Sequence, residues 1–181
     1  CIDKVHEICP YVGIEFLCSD LSGNVKALDF LLEDSPLTVF AHNVETVRRL
    51  TPRVRDPRAT FDQSLLILKK AKEFRPDIIT KTSIMLGLGE TEEDLLDAFK
   101  ELREANVDLL TLGQYLSPGS RFHPVMSFPS PETFDSLAQI AKDMGFKAVA
   151  SGPMVRSSYR AESLVAAAKG ETFDIELKVV A

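Results

Sequence analysis

Short apolar runs alternate with longer amphipathic stretches along most of the chain, and this alternation limits the fold more than any other feature. Because the short runs are continuously apolar, they are typical of parallel strands covered on both faces. Parallel strands need long crossover connections, which the amphipathic stretches supply as helices. The sequence therefore predicts an α/β protein of βα repeats. The predicted strands are residues 13–19, 37–42, 78–88, 108–116 and 146–151.

The helices between these strands are marked by capping residues. Thr60 and Gln63 are spaced as a capping box, and Thr91 precedes three acidic residues that suit the positive end of a helix dipole. Ser130 followed by Pro131 predicts the start of a third helix. Each cap is followed by apolar residues at helical spacing, so these helices should each bury one face.

Five strands are too few for the common βα barrel, which has eight. The predicted sheet is therefore either open or the later part of a larger barrel. Ile2, Val5 and Ile8 have helical spacing but no cap precedes them, as though the chain began inside a helix. We interpret this as a truncated chain, which favours part of a barrel.

Composition excludes several classes of protein. A net charge of −6 argues against a nucleic-acid binder, which needs a basic surface. No apolar run approaches the roughly 20 residues that cross a bilayer, and no N-terminal stretch has the pattern of a signal peptide, so we expect a soluble intracellular protein. Cys1, Cys9 and Cys18 match no metal or redox spacing. We interpret Cys9 and Cys18 as buried or incidental thiols.

The segment "HNVET", residues 42–46, follows the second predicted strand. Asn43 and Glu45 are two residues apart, so their side chains project in the same direction from an extended segment and suit the two hydroxyls of a ribose. Alternatively, Asn43 turns the chain and Glu45 starts the next helix. His42 alone is more typical of a structural histidine than of a base or ligand.

The segment "SIMLGLGE", residues 83–90, ends the third predicted strand. Gly87 and Gly89 allow a ligand to approach the backbone closely, and Glu90 lies just before the predicted helix cap. A plain turn from strand to helix remains the alternative.

An arginine-rich loop and a serine pair complete the candidates. The loop, with arginines at 48, 49, 53, 55 and 58, could hold a carboxylate or phosphate or dock an acidic partner, or could simply be a solvated face. In "RSSY", residues 156–159, a hydroxyl could ligate a metal or act as a nucleophile, although no triad spacing accompanies it. Alternatively, Ser158 caps the helix that follows.

Several of these segments together resemble the lipoyl synthases, a family of radical S-adenosylmethionine (SAM) enzymes. The similarity extends over residues 1–162, and "GLGET", "LTLGQYL" and "RSSY" make it specific. It implies the later part of a partial (β/α)6 barrel with parallel strands, in residues 1–151, and a C-terminal extension with the "RSSY" motif in residues 152–181. Matching segments are "FAHNVETVRRL", "RVRDPRATFDQSLLILKKAK", "TKTSIMLGLGETEEDLLDAFKELREANVDLLTLGQYLSP" and "MGFKAVASGPMVRSSYRA".

The resemblance also implies site residues. Asn43 and Glu45 would meet the ribose and methionine portion of SAM. Ser83, Met85, Gly87 and Glu90 occupy the positions of the superfamily's GxIxGxxE strand, with Ser83 replacing the first glycine and Met85 the isoleucine. In "RSSY" the family uses a serine as an oxygen ligand of its auxiliary cluster, and we expect this to be Ser158 rather than Ser157.

In this family two [4Fe–4S] clusters, with SAM, support insertion of sulfur at C6 and C8 of a protein-bound octanoyl group. The resemblance therefore implies an octanoylated lipoyl carrier protein and cluster delivery proteins as partners. It implies the cytoplasm as compartment, or a mitochondrion or plastid in a eukaryote.

This chain lacks the family's two cysteine motifs, CxxxxCxxxxxC and CxxxCxxC. We therefore expect the chain alone to be inactive. The alternative hypothesis is a non-catalytic module that binds SAM or the carrier.

Overall fold

A sheet of five parallel strands forms the centre of the computed structural model, which describes residues 1–171. The strand order follows the chain, β1-β2-β3-β4-β5, without the reversal that divides a doubly wound sheet. This order confirms the predicted α/β fold as a partial barrel. The strands lie within the five predicted runs: β1 Glu15–Leu17, β2 Val39–Ala41, β3 Ile79–Leu86, β4 Leu109–Gln114 and β5 Ala148–Ser151.

Seven α-helices accompany this sheet within the described residues. The three capped helices and the one at the chain's start confirm their predictions, whereas α2 and α3 were not predicted. The last ten residues of the predicted C-terminal extension, 172–181, lie outside the described residues, and the division after residue 151 stays a prediction. The helices are α1 Ile2–Ile8, α2 Val25–Leu32, α3 Thr51–Val54, α4 Phe61–Phe74, α5 Glu92–Glu104, α6 Pro131–Asp143 and α7 Ala161–Ala168.

Two details of capping differ from the prediction. Thr60 accepts a hydrogen bond from the backbone of Gln63, but the Gln63 side chain donates to Asp20 rather than returning to the cap. The predicted capping box is therefore only half formed, since a tertiary contact competes for the amide. Ser158 does not cap α7, because that helix begins two residues later than expected, with Arg160 at its N-cap.

The helices α2, α4, α5 and α6 cover one face of the sheet. Their apolar stripes pack with alternate strand residues into a single core, as the period-2 alternation of strands requires. This outer core includes Leu28, Phe40, Leu68, Ile84, Phe99, Leu110, Leu112 and Phe134.

The opposite face of the sheet is the inner face of the partial barrel, and α7 packs against its amino-terminal part. Leu164 of α7 joins Val39, Ile79, Leu109 and Ala148 in a second, smaller apolar cluster. Val39 is the chain neighbour of Phe40, so the two clusters lie on opposite faces of the sheet. The amino-terminal part of the inner face is therefore closed by the chain's own last described helix.

A buried ion pair lies across the inner face. The Lys81 ammonium is 2.9 Å from both carboxylate oxygens of Glu15, although Lys81 is only 1% exposed. Ala41 is the partner of Lys81 in the sheet register, and its small side chain lets the lysine cross β2 to reach β1. This pair links β3 to β1 across β2 and lies below the carboxyl-terminal part of the inner face, where the polar residues gather.

Candidate functional site

A cavity of about 180 Å³ lies at the carboxyl ends of the strands. In a parallel βα sheet this is the edge where ligand sites form, because the loops there converge. Asn43, Glu45, Ser83 and Met85, four of the six predicted cofactor-binding residues, meet in this cavity. Its lining consists of Asn43, Glu45, Ser83, Met85, Gly113, Gln114, Leu116, Val155, Arg156 and Ser157.

Strand alternation and one glycine shape this cavity. Ser83 and Met85 are two residues apart on β3, so both face inward, and Met85 pairs in register with Gly113 of β4. A Cβ atom at Gly113 would overlap the carbonyl oxygen of Val155, so only glycine lets the loop after β5 pass so close. Gly113 was not among the predicted site residues, although a glycine inside an apolar strand is a signal for close backbone approach.

Glu45 is held in place by an unusual backbone turn. Its φ is +66°, and the amide of Thr46 donates to the carbonyl of Val44 at 2.8 Å, which defines a γ-turn centred on Glu45. Backbone bonds on both sides of Glu45 fix this strained residue against β3: its amide donates to Ser83, and its carbonyl accepts from Met85. The alternative in which Glu45 starts a helix is therefore wrong, since α3 begins only at Thr51.

The electrostatics of Asn43 and Glu45 favour a ligand with hydroxyl or amino donors. The Asn43 Oδ1 atom is buried without a hydrogen-bond partner among the described residues. Burial raises the pKa of the Glu45 carboxyl, while the Asn43 side chain and the charge of Arg55 act in the opposite direction. An unsatisfied buried acceptor costs about 1–3 kcal/mol, so a donor brought by a ligand would relieve it. Two adjacent acceptors of this kind fit the vicinal hydroxyls of a ribose.

Gly87 and Glu90, the other two predicted cofactor residues, do not line the cavity. The Glu90 carboxylate accepts hydrogen bonds from the amides of Gly87 at 2.6 Å and Leu88 at 2.9 Å. Gly87 has a φ of +96°, and a side chain there would overlap the carbonyl oxygen of Ser127. Both residues thus shape the loop after β3, and a direct contact with a cofactor stays a prediction.

The two serines of "RSSY" have different surroundings. Ser157 is half-buried and lines the cavity, whereas Ser158 is exposed and outside it. The hydroxyl of Ser158 makes no hydrogen bond within the part of the chain that the structure describes. The assignment of Ser158 as a metal ligand stays a prediction.

The described residues do not by themselves fit an iron–sulfur cluster. Cys1, Cys9 and Cys18 are free thiols, and residues 1–171 contain no group of three His, Cys, Asp or Glu side chains placed to hold a metal ion. Because such a cluster needs several thiolate ligands, no chemistry through a cluster can be derived from these residues.

The arginine-rich loop is largely neutralised by acidic residues of the same chain. Arg48 pairs with Asp62 at 2.8 Å and also with Glu101. Arg49 donates to Asp94 from two nitrogens, and Arg58 pairs with Asp56. The solvated-face interpretation therefore describes most of this loop. Arg55 is different, because it donates to a hydroxyl, that of Ser64, at 2.8 Å.

His42 belongs to the same network. Its Nδ1 lies 3.0 Å from the carbonyl oxygen of Cys18, and its Nε2 lies 2.9 Å from the Ser64 hydroxyl. Burial lowers the pKa of the imidazole. Since both ring nitrogens are occupied within the fold, His42 is a structural histidine, as the sequence analysis expected.

Among residues 1–171, no helix combines the length and the apolar character needed to cross a membrane. The predicted compartment stays a prediction.

The chain is similar to a large set of curated proteins. It is 51% identical over 161 residues to the lipoyl synthase of Thermus thermophilus. The aligned region covers 89% of this chain and 50% of that protein. It is 52% identical over 160 residues to the mitochondrial lipoyl synthase of Coprinopsis cinerea, covering 88% and 40%. The chloroplastic lipoyl synthase of Arabidopsis thaliana is 54% identical over 155 residues, covering 86% and 39%. The chain thus spans about half the length, or less, of these relatives.

The chain also matches a family profile that is consistent with these relatives. Residues 2–102, more than half of the chain, match the sequence profile described as the Radical SAM superfamily. This matched region contains β1 to β3 and the cavity residues Asn43, Glu45, Ser83 and Met85. The chain belongs to the radical SAM superfamily, and within it resembles the lipoyl synthases.

Proposed function

We propose that this chain forms the SAM-binding part of a lipoyl synthase. The observation that supports this most directly is the cavity in which Asn43, Glu45, Ser83 and Met85 meet, with the unpartnered acceptor of Asn43 buried beside Glu45. In this proposal Asn43 and Glu45 accept hydrogen bonds from the ribose hydroxyls or the amino group of SAM. Ser83 and Met85 form the wall of β3 against which the ligand packs.

The size of the cavity limits how much of SAM these residues can contact. Its volume of about 180 Å³ is below the roughly 300–1,000 Å³ of sites that enclose a drug-sized ligand. The described residues would therefore contact one portion of SAM rather than surround it. Gly87 and Glu90 contribute by fixing the loop beside this portion.

The reaction we propose is the one implied by the relatives' shared name. SAM and two [4Fe–4S] clusters would support insertion of two sulfur atoms, at C6 and C8 of an octanoyl group on a lipoyl carrier protein. Since the described residues offer no set of cluster ligands, we propose that the 181-residue chain alone is inactive. Cluster delivery proteins remain proposed partners on the same basis.

Ser158 is our proposed oxygen ligand. Its exposure leaves the hydroxyl accessible to a metal centre, whereas Ser157 faces the cavity. Oxygen ligands bind iron less strongly than thiolates do, so an iron held by a serine would be released more easily.

The test of the SAM site uses the longest open reading frame that contains this chain, reconstituted anaerobically with iron and sulfide. We expect Asn43→Ala and Glu45→Gln each to weaken SAM binding about 10-fold or more, because each loses one hydrogen bond to a buried partner. Glu93→Gln, an exposed change on α5, is the matched control. SAM affinity equal to that of the control in both variants would contradict the site.

Two further measurements test the rest of the proposal. Iron counting should give about eight irons per chain for two clusters, with loss confined to one cluster in Ser158→Ala and not in Ser157→Ala. Mass spectrometry of an octanoylated carrier should show the gain of two sulfur atoms.

A non-catalytic binding module is the second candidate function, favoured by the lack of a cluster-ligand group in the described residues. SAM binding without iron and without sulfur insertion would support this module over the enzyme.

A further inference from the structure

Two loops at the carboxyl edge of the sheet form one continuous surface beside the cavity. We name residues 115–130, between β4 and α6, and residues 152–160, between β5 and α7, the rim loops. Gln114 joins them, since its side chain donates to the carbonyl of Ser127 at 3.2 Å and its backbone amide to that of Pro153 at 3.3 Å. Leu116 of the first loop and Arg156 of the second both line the cavity.

The first rim loop has no regular secondary structure but is fixed to the sheet. The amide of Met126 donates to the carbonyl of Gly87 at 2.8 Å, and the Tyr115 hydroxyl donates to the carbonyl of His123 at 2.8 Å. The His123 ring lies 2.9 Å from the carbonyl of Leu88. A surface held in this way loses little conformational freedom when a partner binds.

Large apolar side chains on the rim loops point toward solvent. Phe128 is 72% exposed and Met154 is 79% exposed, although such residues are usually buried. Leu116, Phe122 and Met126 are also mostly exposed. Exposed apolar side chains in this number are typical of an interaction surface, and of these five Leu116 also lines the cavity.

The charge of the rim loops is opposite to that of the whole chain. They contain Arg121, Arg156 and Arg160 and no aspartate or glutamate, whereas the chain has a net charge of −6. Within residues 1–171, none of these three arginines forms an ion pair with a carboxylate. Arg156 donates to the carbonyls of Gln114 and Val155, and Arg160 lies over the Tyr159 ring at 5.4 Å.

We propose that the rim loops are the docking surface for the acyl carrier. Because the rim loops are basic, the carrier domain that binds them must have an acidic surface around its acylated lysine. That acidic surface would pair with Arg121 and Arg160. The octanoyl chain then lies across the exposed apolar side chains and leads toward the SAM bound at the cavity. This inference rests on the proposed function and adds to it the surface that recognises the substrate.

The test measures binding of an octanoylated acidic lipoyl domain to the full-length protein that contains this chain. Arg121→Glu and Arg160→Glu should each raise the Kd about 10-fold and make it less dependent on salt, because a charge on the binding surface is reversed. Arg53→Glu is the matched control. Arg53 is exposed, has no ion pair among the described residues and lies in the other arginine-rich loop, so its reversal should change the Kd less than twofold.

A second variant tests the apolar part. Phe128→Ser should reduce the preference for the octanoylated domain over the same domain without the acyl group. Because Phe128 is mostly exposed, this change should leave the fold intact. An unchanged preference would contradict the proposed path of the acyl chain.

The outcomes separate this inference from the proposed function. If the parent binds SAM and the carrier, but both charge reversals behave like Arg53→Glu, the docking surface is wrong while the proposed function stands. If the parent binds neither, both proposals fail. Equal affinity for an unrelated acidic protein would show non-specific attraction and would also overturn the docking surface.

Discussion

The two groups of arginines in this molecule differ in where their counter-charges lie. In the loop 48–58, three arginines pair with aspartates or glutamates of the same chain. In the rim loops, Arg121 and Arg160 have no such partner in the described residues. The first group is conspicuous in the sequence and the second is not, because its arginines are spread over 40 residues. Charge density along a sequence is therefore a poor guide to which cations remain available for a partner.

The physical reason is that α4 and α5 place acidic residues beside the first group of arginines. Arg48 reaches Asp62 on α4 and Glu101 on α5, which the fold places together. Such pairs stabilise the packing of the loop but leave little charge for a ligand. The rim loops contain no aspartate or glutamate, and Arg121 and Arg160 form no ion pair among residues 1–171, so their charge is available to a partner. We expect substitutions of the paired arginines, Arg48, Arg49 and Arg58, to affect stability, and substitutions of Arg121 and Arg160 to affect carrier binding.

The largest effect should come from Gly113→Ala, which displaces a rim loop as a whole. The new Cβ would overlap the carbonyl oxygen of Val155, and backbone atoms cannot yield as a flexible side chain can. We expect a loss of about 3 kcal/mol in the free energy of unfolding, the upper end for overpacking, and weaker binding of both SAM and carrier. Urea denaturation and the two binding assays measure this.

Gly119→Ala provides the control for that substitution. It lies in the same rim loops, but the nearest atom to an added Cβ would be in the Phe122 side chain at 4.0 Å, which is ordinary contact. If the two alanine variants were equally stable and bound equally well, the close approach at Gly113 would not position the rim loop.

Arg48→Glu and Arg160→Glu test the comparison directly. Arg48→Glu removes the pairs with Asp62 and Glu101 and the contact of its guanidinium with the Phe61 ring, 4.9 Å from the centroid. Because Arg48 is partly exposed, we expect a loss of only about 1 kcal/mol in stability, with carrier affinity unchanged. Arg160→Glu should change stability by less than about 0.5 kcal/mol and weaken carrier binding. Equal effects of the two variants on either quantity would remove the distinction.

The sequence predicted the sheet well because its signals are local. Continuous apolar runs and capping residues such as Thr91 and Ser130 depend on near neighbours, and both caps form as expected. Gln63 failed as part of a capping box because Asp20, 43 residues away, takes its side chain. A pattern within one helix cannot reveal such a competitor.

The candidate site was predictable only in part, for a similar reason. Asn43 and Glu45 share a strand-like spacing, so their common direction was visible. The γ-turn at Glu45 was not, because no glycine marks its positive φ. Ser157 reaches the cavity from the loop after β5, and Gln114 reaches it from the end of β4. Only the fold shows that the loop after β5 passes over Gly113. Residue types predict chemistry, whereas the meeting of distant loops depends on the tertiary structure.

The smallest effect concerns Glu45, which lines the cavity beside the rim loops and is influenced by Arg55 of the first group. Burial raises the pKa of its carboxyl, and Arg55, the arginine of the first group that bonds to Ser64, acts to lower it. An ionised carboxylate is the better acceptor for ribose hydroxyls, so SAM affinity should rise as pH increases through this raised pKa. Glu45→Gln should remove that pH dependence, and Arg55→Gln should shift it to higher pH by removing the opposing charge.

Protonation of Glu45 also links the stability of the protein to pH. Because the pKa of Glu45 is higher in the folded than in the unfolded chain, the folded state binds the proton more tightly. Its contribution to stability is therefore present at low pH and is lost as pH rises from the unfolded to the folded pKa. SAM affinity and this contribution should thus change in opposite directions over one pH range. A SAM affinity that fell with rising pH, measured by isothermal titration calorimetry, would mean that the protonated acid is the binding form and that Glu45 donates to the ligand.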